Sequence, residues 1–190
     1  MKDNQTKQIE LLSAEDAATK KTFVVSPQQQ YWFYRAEDVE KPKVGVYISV
    51  ENSKKNQMGM PLPKGVVRVY KQDSQGALQF TGEDRIDHTP EDETIRVKLG
   101  DAFDVVAERV QTNFEVLSSG HLYRSSYKVT LRNHKSENIT VSVVDTMYGD
   151  WTITASSHKS DKETASRVRF DVPVTSKGSA ELTYTVEIRQ

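Results

Sequence analysis

The stretch Glu181-Leu182-Thr183-Tyr184-Thr185-Val186-Glu187-Ile188 alternates polar and apolar residues strictly. Successive side chains of an extended strand point to opposite faces, so this stretch predicts a strand with one apolar and one polar face. The same period of two recurs along nearly the whole chain. It predicts an all-β fold, an antiparallel β-sandwich whose strands each give one face to solvent.

The other segments with this pattern complete the predicted set of strands. We predict strands at residues 6–12, 18–25, 30–35, 43–51, 65–71, 77–82, 94–98, 103–117, 121–133, 138–147, 151–156, 165–174 and 179–188. Turn residues predict two hairpins, one around Asp73-Ser74-Gln75-Gly76 and one around Ser118-Ser119-Gly120. The part from 116 to 190 resembles an immunoglobulin-like sandwich in strand number and spacing.

Length and composition limit the kind of protein. The 190 residues suit a single domain, residues 1–190, with a subdivision near residue 115. The formal net charge of −1 argues against nucleic acid as a partner, and no apolar run is long enough for direct membrane insertion. The chain has no cysteine, which excludes disulfides and thiolate metal sites. Because a strand begins almost at once, we expect a domain excised from a longer protein.

Two segments interrupt the strand pattern. Residues 52–64 combine charged residues, glycine and prolines, which predicts a surface loop. Residues 83–93 contain six acidic residues and one arginine, and Asp84, Asp87, His88, Glu91 and Glu93 could bind a hard divalent cation. The alternating spacing of a calcium loop is missing, so a solvated turn bent at Pro90 and capped by Asp87 is the simpler interpretation.

Four consecutive aromatic residues, Tyr31-Trp32-Phe33-Tyr34, form a second candidate site. An exposed aromatic surface is a usual way to hold a sugar ring. On a strand, Trp32 and Tyr34 face one side and the other two aromatics face the opposite side, so at least one pair belongs to the core. The remaining pair is a candidate glycan site, for which we name Trp32 and Tyr34.

Motifs of catalysis give no support for an enzyme. Ser125 and Lys128, like Ser156 and Lys159, match Ser-x-x-Lys, but an odd offset on a strand sends the two side chains to opposite faces. The four histidines are scattered without the spacing of metal ligands. We predict no catalytic residue, no metal and no cofactor.

Several short segments carry a family resemblance. Leu62-Pro63-Lys64-Gly65 precedes Val67-Arg68-Val69-Tyr70, and Gly82-Glu83-Asp84, Asp87-His88-Thr89-Pro90 and Leu99-Gly100-Asp101-Ala102-Phe103-Asp104 follow. With Gln5-Thr6-Lys7-Gln8 near the start, the chain resembles, over essentially its whole length, the bacterial family of domains of unknown function numbered 4139. The resemblance implies the C-terminal part of a longer, mucoidy-inhibitor-like envelope or secreted protein. It implies no catalytic residues.

These observations lead to three hypotheses about function. The first is a non-enzymatic β-sandwich module of a bacterial envelope or secreted protein that associates with another protein or with its own missing N-terminal region. The second is a carbohydrate-binding module that uses the aromatic residues near 31–34. The third is a metal-assisted hydrolase at residues 83–93.

Overall fold

The computed structural model describes residues 13–28, 32–118 and 121–189. The strand predicted at 6–12 lies outside these residues. Within them the chain forms strands and one short 3-10 helix, Lys54–Asn56. The strands are β1 (Thr19–Val25), β2 (Val44–Glu51), β3 (Gly65–Gln72), β4 (Leu78–Ile86), β5 (Thr94–Asp101), β6 (Val105–Ser118), β7 (Leu122–Asn133), β8 (Ile139–Thr146), β9 (Asp150–Ser156), β10 (Ser160–Thr164), β11 (Arg167–Val174) and β12 (Ser179–Arg189).

The chain divides into two compact units. Unit 1 comprises Met1–Lys21 and Ile48–Leu99, and unit 2 comprises Thr22–Tyr47 and Gly100–Gln190. Strands β1, β2 and β5 contribute residues to both units. Residue 115, where the sequence suggested a subdivision, lies inside β6. The single-domain assignment therefore stays a prediction.

Unit 2 is the sandwich that the alternation predicted. Its strands belong to two sheets, one with the order β10-β11-β8-β1-β2-β5 and one with the order β6-β7-β12-β9. In β12 the apolar residues Leu182, Tyr184, Val186 and Ile188 are all buried, so the predicted faces are confirmed. They pack in a core with residues such as Trp32, Leu131, Met147 and Phe170.

The pairing of β1 with β8 departs from the antiparallel prediction. Strand β1 runs parallel to β8, with Phe23 opposite Val141 and Val25 opposite Val143. Parallel neighbours need a long crossover connection, and here the connection includes every strand from β2 to β7. A local sequence pattern cannot show such a distant pairing.

Both predicted hairpins are confirmed. In unit 1, β3 pairs with β4, and in unit 2, β6 pairs with β7. The turn between β3 and β4 is held by Asp73, whose carboxylate oxygen accepts hydrogen bonds from the backbone N–H groups of Gln75 and Ala77, both at 2.9 Å. Gly76 has a φ of +87°, a left-handed conformation that glycine adopts without steric cost.

A glycine also allows β4 to approach β5 within unit 1. A Cβ atom at Gly82 would lie 2.4 Å from the backbone oxygen of Leu99. No side chain fits at that distance, so β4 can cross β5 this closely only at a glycine.

The predicted surface loop 52–64 is held by a buried polar residue. Asn52 is completely buried, and its side-chain nitrogen donates to the backbone oxygens of Met60 at 2.9 Å and Pro90 at 2.7 Å. Its side-chain oxygen accepts from the N–H of Gly59 at 3.0 Å. The Asn52 side chain thus connects the loop 52–64 to the acidic segment 83–93. The prediction of a surface loop is wrong for Asn52 and also for Ser53 and Asn56, which are buried.

Candidate functional site

Two of the acidic residues predicted as a site, Asp84 and Asp87, accept hydrogen bonds from backbone N–H groups. Asp84 accepts a hydrogen bond from the N–H of Lys98 at 2.8 Å and another from the N–H of Arg85 at 2.8 Å. These two donors, Lys98 first, lower the pKa of Asp84, because they favour its charged form. Asp84 therefore links β4 to β5 in unit 1.

The rest of the segment makes separate local contacts. Asp87 accepts from the N–H of His88 at 2.8 Å, and the His88 Nδ1 atom lies 3.4 Å from the backbone nitrogen of Lys64. Glu91 forms an ion pair with Lys54 at 3.1 Å. Among the residues that the structure describes, no group of three or more histidine and acidic side chains could hold a metal ion. The contact of Asp87 is with the next residue, whereas a capping aspartate accepts from an N–H two or three residues on, so the capped turn stays a prediction.

The aromatic segment does not follow the parity of a strand. Trp32, Phe33 and Tyr34 lie in a bend, so the strand predicted at 30–35 is wrong for these residues, while Tyr31 lies outside the described residues. Trp32 is 1% exposed and packs edge-on against Tyr127, with ring centres 5.3 Å apart. Tyr34 is 54% exposed. The two residues predicted to share a surface are thus separated, and a ligand can reach only Tyr34.

Unit 1 contains an apolar cavity that the sequence did not predict. Its volume is about 950 Å³, within the range of ~300–1,000 Å³ that is usual for small-molecule sites. The lining comes from β1, β2, β3, β5, the end of β4 and the loops around them. The lining residues are Ala14, Thr19, Ile48, Val50, Met58, Leu62, Pro63, Lys64, Gly65, Val66, Val67, Arg68, Val69, Tyr70, Ile86, Ile95 and Val97.

The lining is mainly aliphatic. Ile95 and Val97 of β5 are buried, and on β3 the half-buried Val67 and Val69 alternate with the exposed Val66 and Arg68. Cross-strand pairing puts Val67 on the same face of the hairpin as Asp84, which contacts β5. This face of the hairpin therefore turns its valines towards the apolar strands of unit 1.

Two charged residues lie among the described lining residues of the cavity, and one of them is paired with an acid. Lys64 and Arg68 are exposed and line the cavity, and no aspartate or glutamate is among its described lining residues. The Arg68 side chain is oriented by Glu83, with 2.9 Å between Nε and the carboxylate oxygen. Glu83 therefore balances the charge of Arg68, and strand parity puts Lys64 and Arg68 on the face of β3 opposite Val67 and Val69.

A second feature that the sequence reasoning missed is a buried polar cluster in unit 2. Arg109 donates to Asp145 at 2.9 Å and to the hydroxyl of Tyr184 at 3.2 Å, and that hydroxyl donates to Asp145. Burial opposes the charge of Arg109, but interactions with Tyr184 and Asp145 outweigh it and raise the pKa of Arg109. The Arg109 guanidinium also lies 3.9 Å from the ring centre of Tyr127.

The sequence contains a signal for this cluster, namely charged residues at positions of the strand pattern that are otherwise apolar. Arg109 follows Val105 and Ala107 on the buried face of β6, and Asp145 follows Val141 and Val143 on β8. A charged residue in an apolar register predicts a buried ion pair, because an unpaired buried charge is too costly. Arg109 is 2% exposed and Asp145 is fully buried, so the cluster is closed to ligands and has a structural role.

Comparison with known proteins adds little. No protein-family model and no curated protein matches the chain. Among solved structures, the NMR structure of the folded domain of LppM from Mycobacterium tuberculosis matches over 97% of this chain and 97% of its own, with 10% sequence identity and a TM-score of 0.23. A similarity at this TM-score carries no argument about function. The resemblance to family 4139 stays a hypothesis.

No helix in the described part of the chain is both long and apolar enough to cross a membrane.

Proposed function

We propose that the chain is a non-enzymatic binding module of a bacterial envelope or secreted protein, and that the cavity of unit 1 holds the aliphatic chain of an amphiphilic ligand. The observation that carries the proposal is the cavity of about 950 Å³ with its aliphatic lining. Moving a hydrocarbon chain from water into such a cavity is favourable in proportion to the apolar area buried, at about 25 cal/mol per Å².

The composition of the lining favours a flexible aliphatic chain over a flat or polar ligand. Valine, isoleucine, leucine and methionine are ten of the seventeen described lining residues, and Tyr70 is the single aromatic residue among them. A sugar would need several hydrogen-bonding groups and an aromatic surface, which this lining does not offer. Val66 and Tyr70 of the lining are half exposed, so the cavity opens to solvent, which suits an amphiphile whose polar end stays in water.

The placement of the candidate catalytic groups supports a binding role. Asp84 is engaged by backbone N–H groups, and Glu91 pairs with Lys54. A general acid and base must converge on one substrate position, and these groups point to separate contacts.

The cavity can be tested by filling it. We expect N-phenylnaphthylamine, a dye that fluoresces in apolar surroundings, to bind the full chain and to be displaced by dodecanol. Val67→Phe puts a larger side chain into the lining, so the affinity for dye and alcohol should fall roughly tenfold, which corresponds to about 1.4 kcal/mol. Fluorescence titration measures both affinities.

The matched control is Val116→Phe, because Val116 is an exposed valine of β6 in unit 2 that does not line the cavity. It should bind dye like the unchanged chain. Circular dichroism and urea midpoints show that both variants are folded. A folded Val67→Phe variant with unchanged affinity would contradict the proposal.

Other predictions from the sequence stay open beside this proposal. Association with a partner protein, glycan binding at the exposed Tyr34 and the immunoglobulin-like character of residues 116–190 remain predictions. The envelope or secreted location is supported only by the resemblance to family 4139.

A further inference from the structure

We infer that the edge of β3 that lies away from β4, called here the β3 edge, pairs with an extended strand of a partner protein whose alternate residues are aliphatic. The inference goes beyond the proposed function, since it concerns the backbone of β3 rather than an amphiphile. The strand would enter the same cavity of unit 1, so a partner strand and an aliphatic ligand compete for it.

The residues that line the cavity show where it lies along β3. All nine residues from 62 to 70 belong to the lining. One face of a strand would contribute only every second residue. Val67 stands on the face towards the apolar strands of unit 1 and Val66 on the opposite face, yet both line the cavity. The cavity therefore extends along an edge of β3, where residues of both faces are reached.

That edge is the one away from β4. Strand β3 pairs with β4 over its whole length, from Gly65 opposite Ile86 to Gln72 opposite Leu78. Of β4, only its last residue, Ile86, is among the described lining residues. Within the part of the chain that the structure describes, β3 has no other paired strand. Because every second residue of an antiparallel strand turns its N–H and C=O groups away from its partner, such groups of β3 point to the cavity.

The composition of β3 leaves the β3 edge open to pairing. Natural proteins protect strand edges with proline, lysine or a bulge. Residues 65–70 include three valines, which favour strands, and no proline. The bulge of the hairpin puts its extra residue, Thr81, on β4, and the charge of Arg68 is balanced by Glu83. A hairpin of two strands is marginal by itself, so a third strand would stabilise it.

The floor of the cavity defines the side chains of the partner strand. Ile95 and Val97 of β5 are buried and line the cavity together with residues of β2. A strand added to β3 continues the pleat, so every second side chain shares the face of Val67 and meets this aliphatic floor. The residues between them share the face of Val66 and can be polar. Main-chain hydrogen bonds then provide affinity, and the alternate aliphatic residues provide selectivity.

The experiment compares two peptides on the full chain. The first is a labelled heptapeptide of alternating threonine and valine, whose binding is measured by fluorescence anisotropy. The second has the same sequence with a methyl group on every backbone amide, so it keeps the valines but cannot donate backbone hydrogen bonds. Since several bonds to the β3 edge are lost, the methylated peptide should bind about tenfold more weakly or less tightly still.

Hydrogen exchange locates the pairing. At saturating peptide, exchange should slow about tenfold or more at alternate amides of β3, those that point away from β4. The matched control is β9, a strand at the edge of its own sheet in unit 2, whose amides should exchange as before.

A substitution in the cavity tests the same site. Val67→Phe should weaken binding of the unmethylated peptide roughly tenfold, because the larger side chain occupies the place of the partner's aliphatic residues. Val116→Phe, on β6 and outside the cavity, should leave it unchanged.

Each outcome supports or refutes the β3 edge as a docking site. If both peptides bind equally, or if the unmethylated peptide slows no amide of β3, strand pairing is refuted. If alternate β3 amides exchange as slowly without peptide as with it, the edge is already paired within the chain and docking of a partner is wrong.

The dye separates this inference from the proposed function. If the peptide slows the β3 amides but N-phenylnaphthylamine does not bind, the docking edge is supported and the proposed function fails. If the dye binds and the peptide has no effect on β3, the docking edge is refuted and the proposed function stands.

Discussion

At the scale of single residues, Asn52 has the clearest structural role in unit 1. It connects the loop 52–64 to the segment 83–93 through backbone groups of Gly59, Met60 and Pro90. Asn52→Ala leaves these groups without their partner in a buried place, so the free energy of unfolding should fall by about 2–3 kcal/mol. Hydrogen exchange at the Gly59 amide measures the loss locally.

A second asparagine provides the comparison. Asn113 of β6 is exposed, and its side chain donates to Glu115 at 2.7 Å. Asn113→Ala should change stability by less than about 0.5 kcal/mol. If the two variants were equally stable, Asn52 would not be what holds the two loops together.

The residue scale also shows where sequence reasoning about the site ends. The composition of 83–93 identified a concentration of carboxylates, but it could not show that Asp84 binds the backbone of Lys98 or that Glu91 pairs with Lys54. These partners depend on which strands and loops meet. A cluster in the sequence therefore did not become a cluster of ligands in space.

At the scale of elements, the approach of β4 to β5 depends on Gly82. Gly82→Ala would put a methyl group 2.4 Å from the backbone oxygen of Leu99, and backbone cannot move away as a flexible side chain can. We expect a loss of about 1–3 kcal/mol and faster hydrogen exchange at the Lys98 amide. The affinity for N-phenylnaphthylamine should fall too, because the hairpin forms part of the cavity.

Gly65 is the matched control, since a Cβ atom there would meet no atom within 4 Å. Gly65→Ala should be neutral or slightly stabilising, because it reduces the entropy of the unfolded chain. Equal losses in both variants would point to a general need for glycine in these strands rather than to the contact with Leu99.

Elements differ in how far the sequence predicts them. The hairpin β3–β4 follows from Asp73 to Gly76, and the buried face of β12 follows from its alternation, because both depend on neighbouring residues. The cavity could not be predicted in this way. It needs β3 to lie near Ile48, Val50 and Ile95, which belong to strands far from one another along the chain.

At the scale of the whole molecule, the two sheets of the unit 2 sandwich are joined by a charge pair. Arg109 lies on β6 of one sheet and Asp145 on β8 of the other. Asp145→Ala removes the closer of two carboxylates that pair with the buried guanidinium, since Glu40 lies 3.4 Å from it, and should cost about 3 kcal/mol. Both tryptophans, Trp32 and Trp151, lie in unit 2, so urea unfolding followed by tryptophan fluorescence reports on this sandwich.

An exposed ion pair in the same unit provides the comparison. Glu115 pairs with Arg124 at 3.1 Å, with the two side chains 44% and 38% exposed. Glu115→Ala should cost less than about 1 kcal/mol, because water screens the pair. An Asp145→Ala variant as stable as Glu115→Ala would show that the buried pair does not stabilise the sandwich.

The parallel pairing of β1 with β8 affects how the chain folds during its synthesis. Roughly 120 residues separate Phe23 from Val141, and closing so long a loop delays folding. During synthesis on the ribosome, β1 emerges well before β8. The edge of β1 that pairs with β8 therefore stays unpaired throughout most of translation. Such a nascent chain is open to pairing with foreign strands and would benefit from a chaperone that shields it until synthesis is complete.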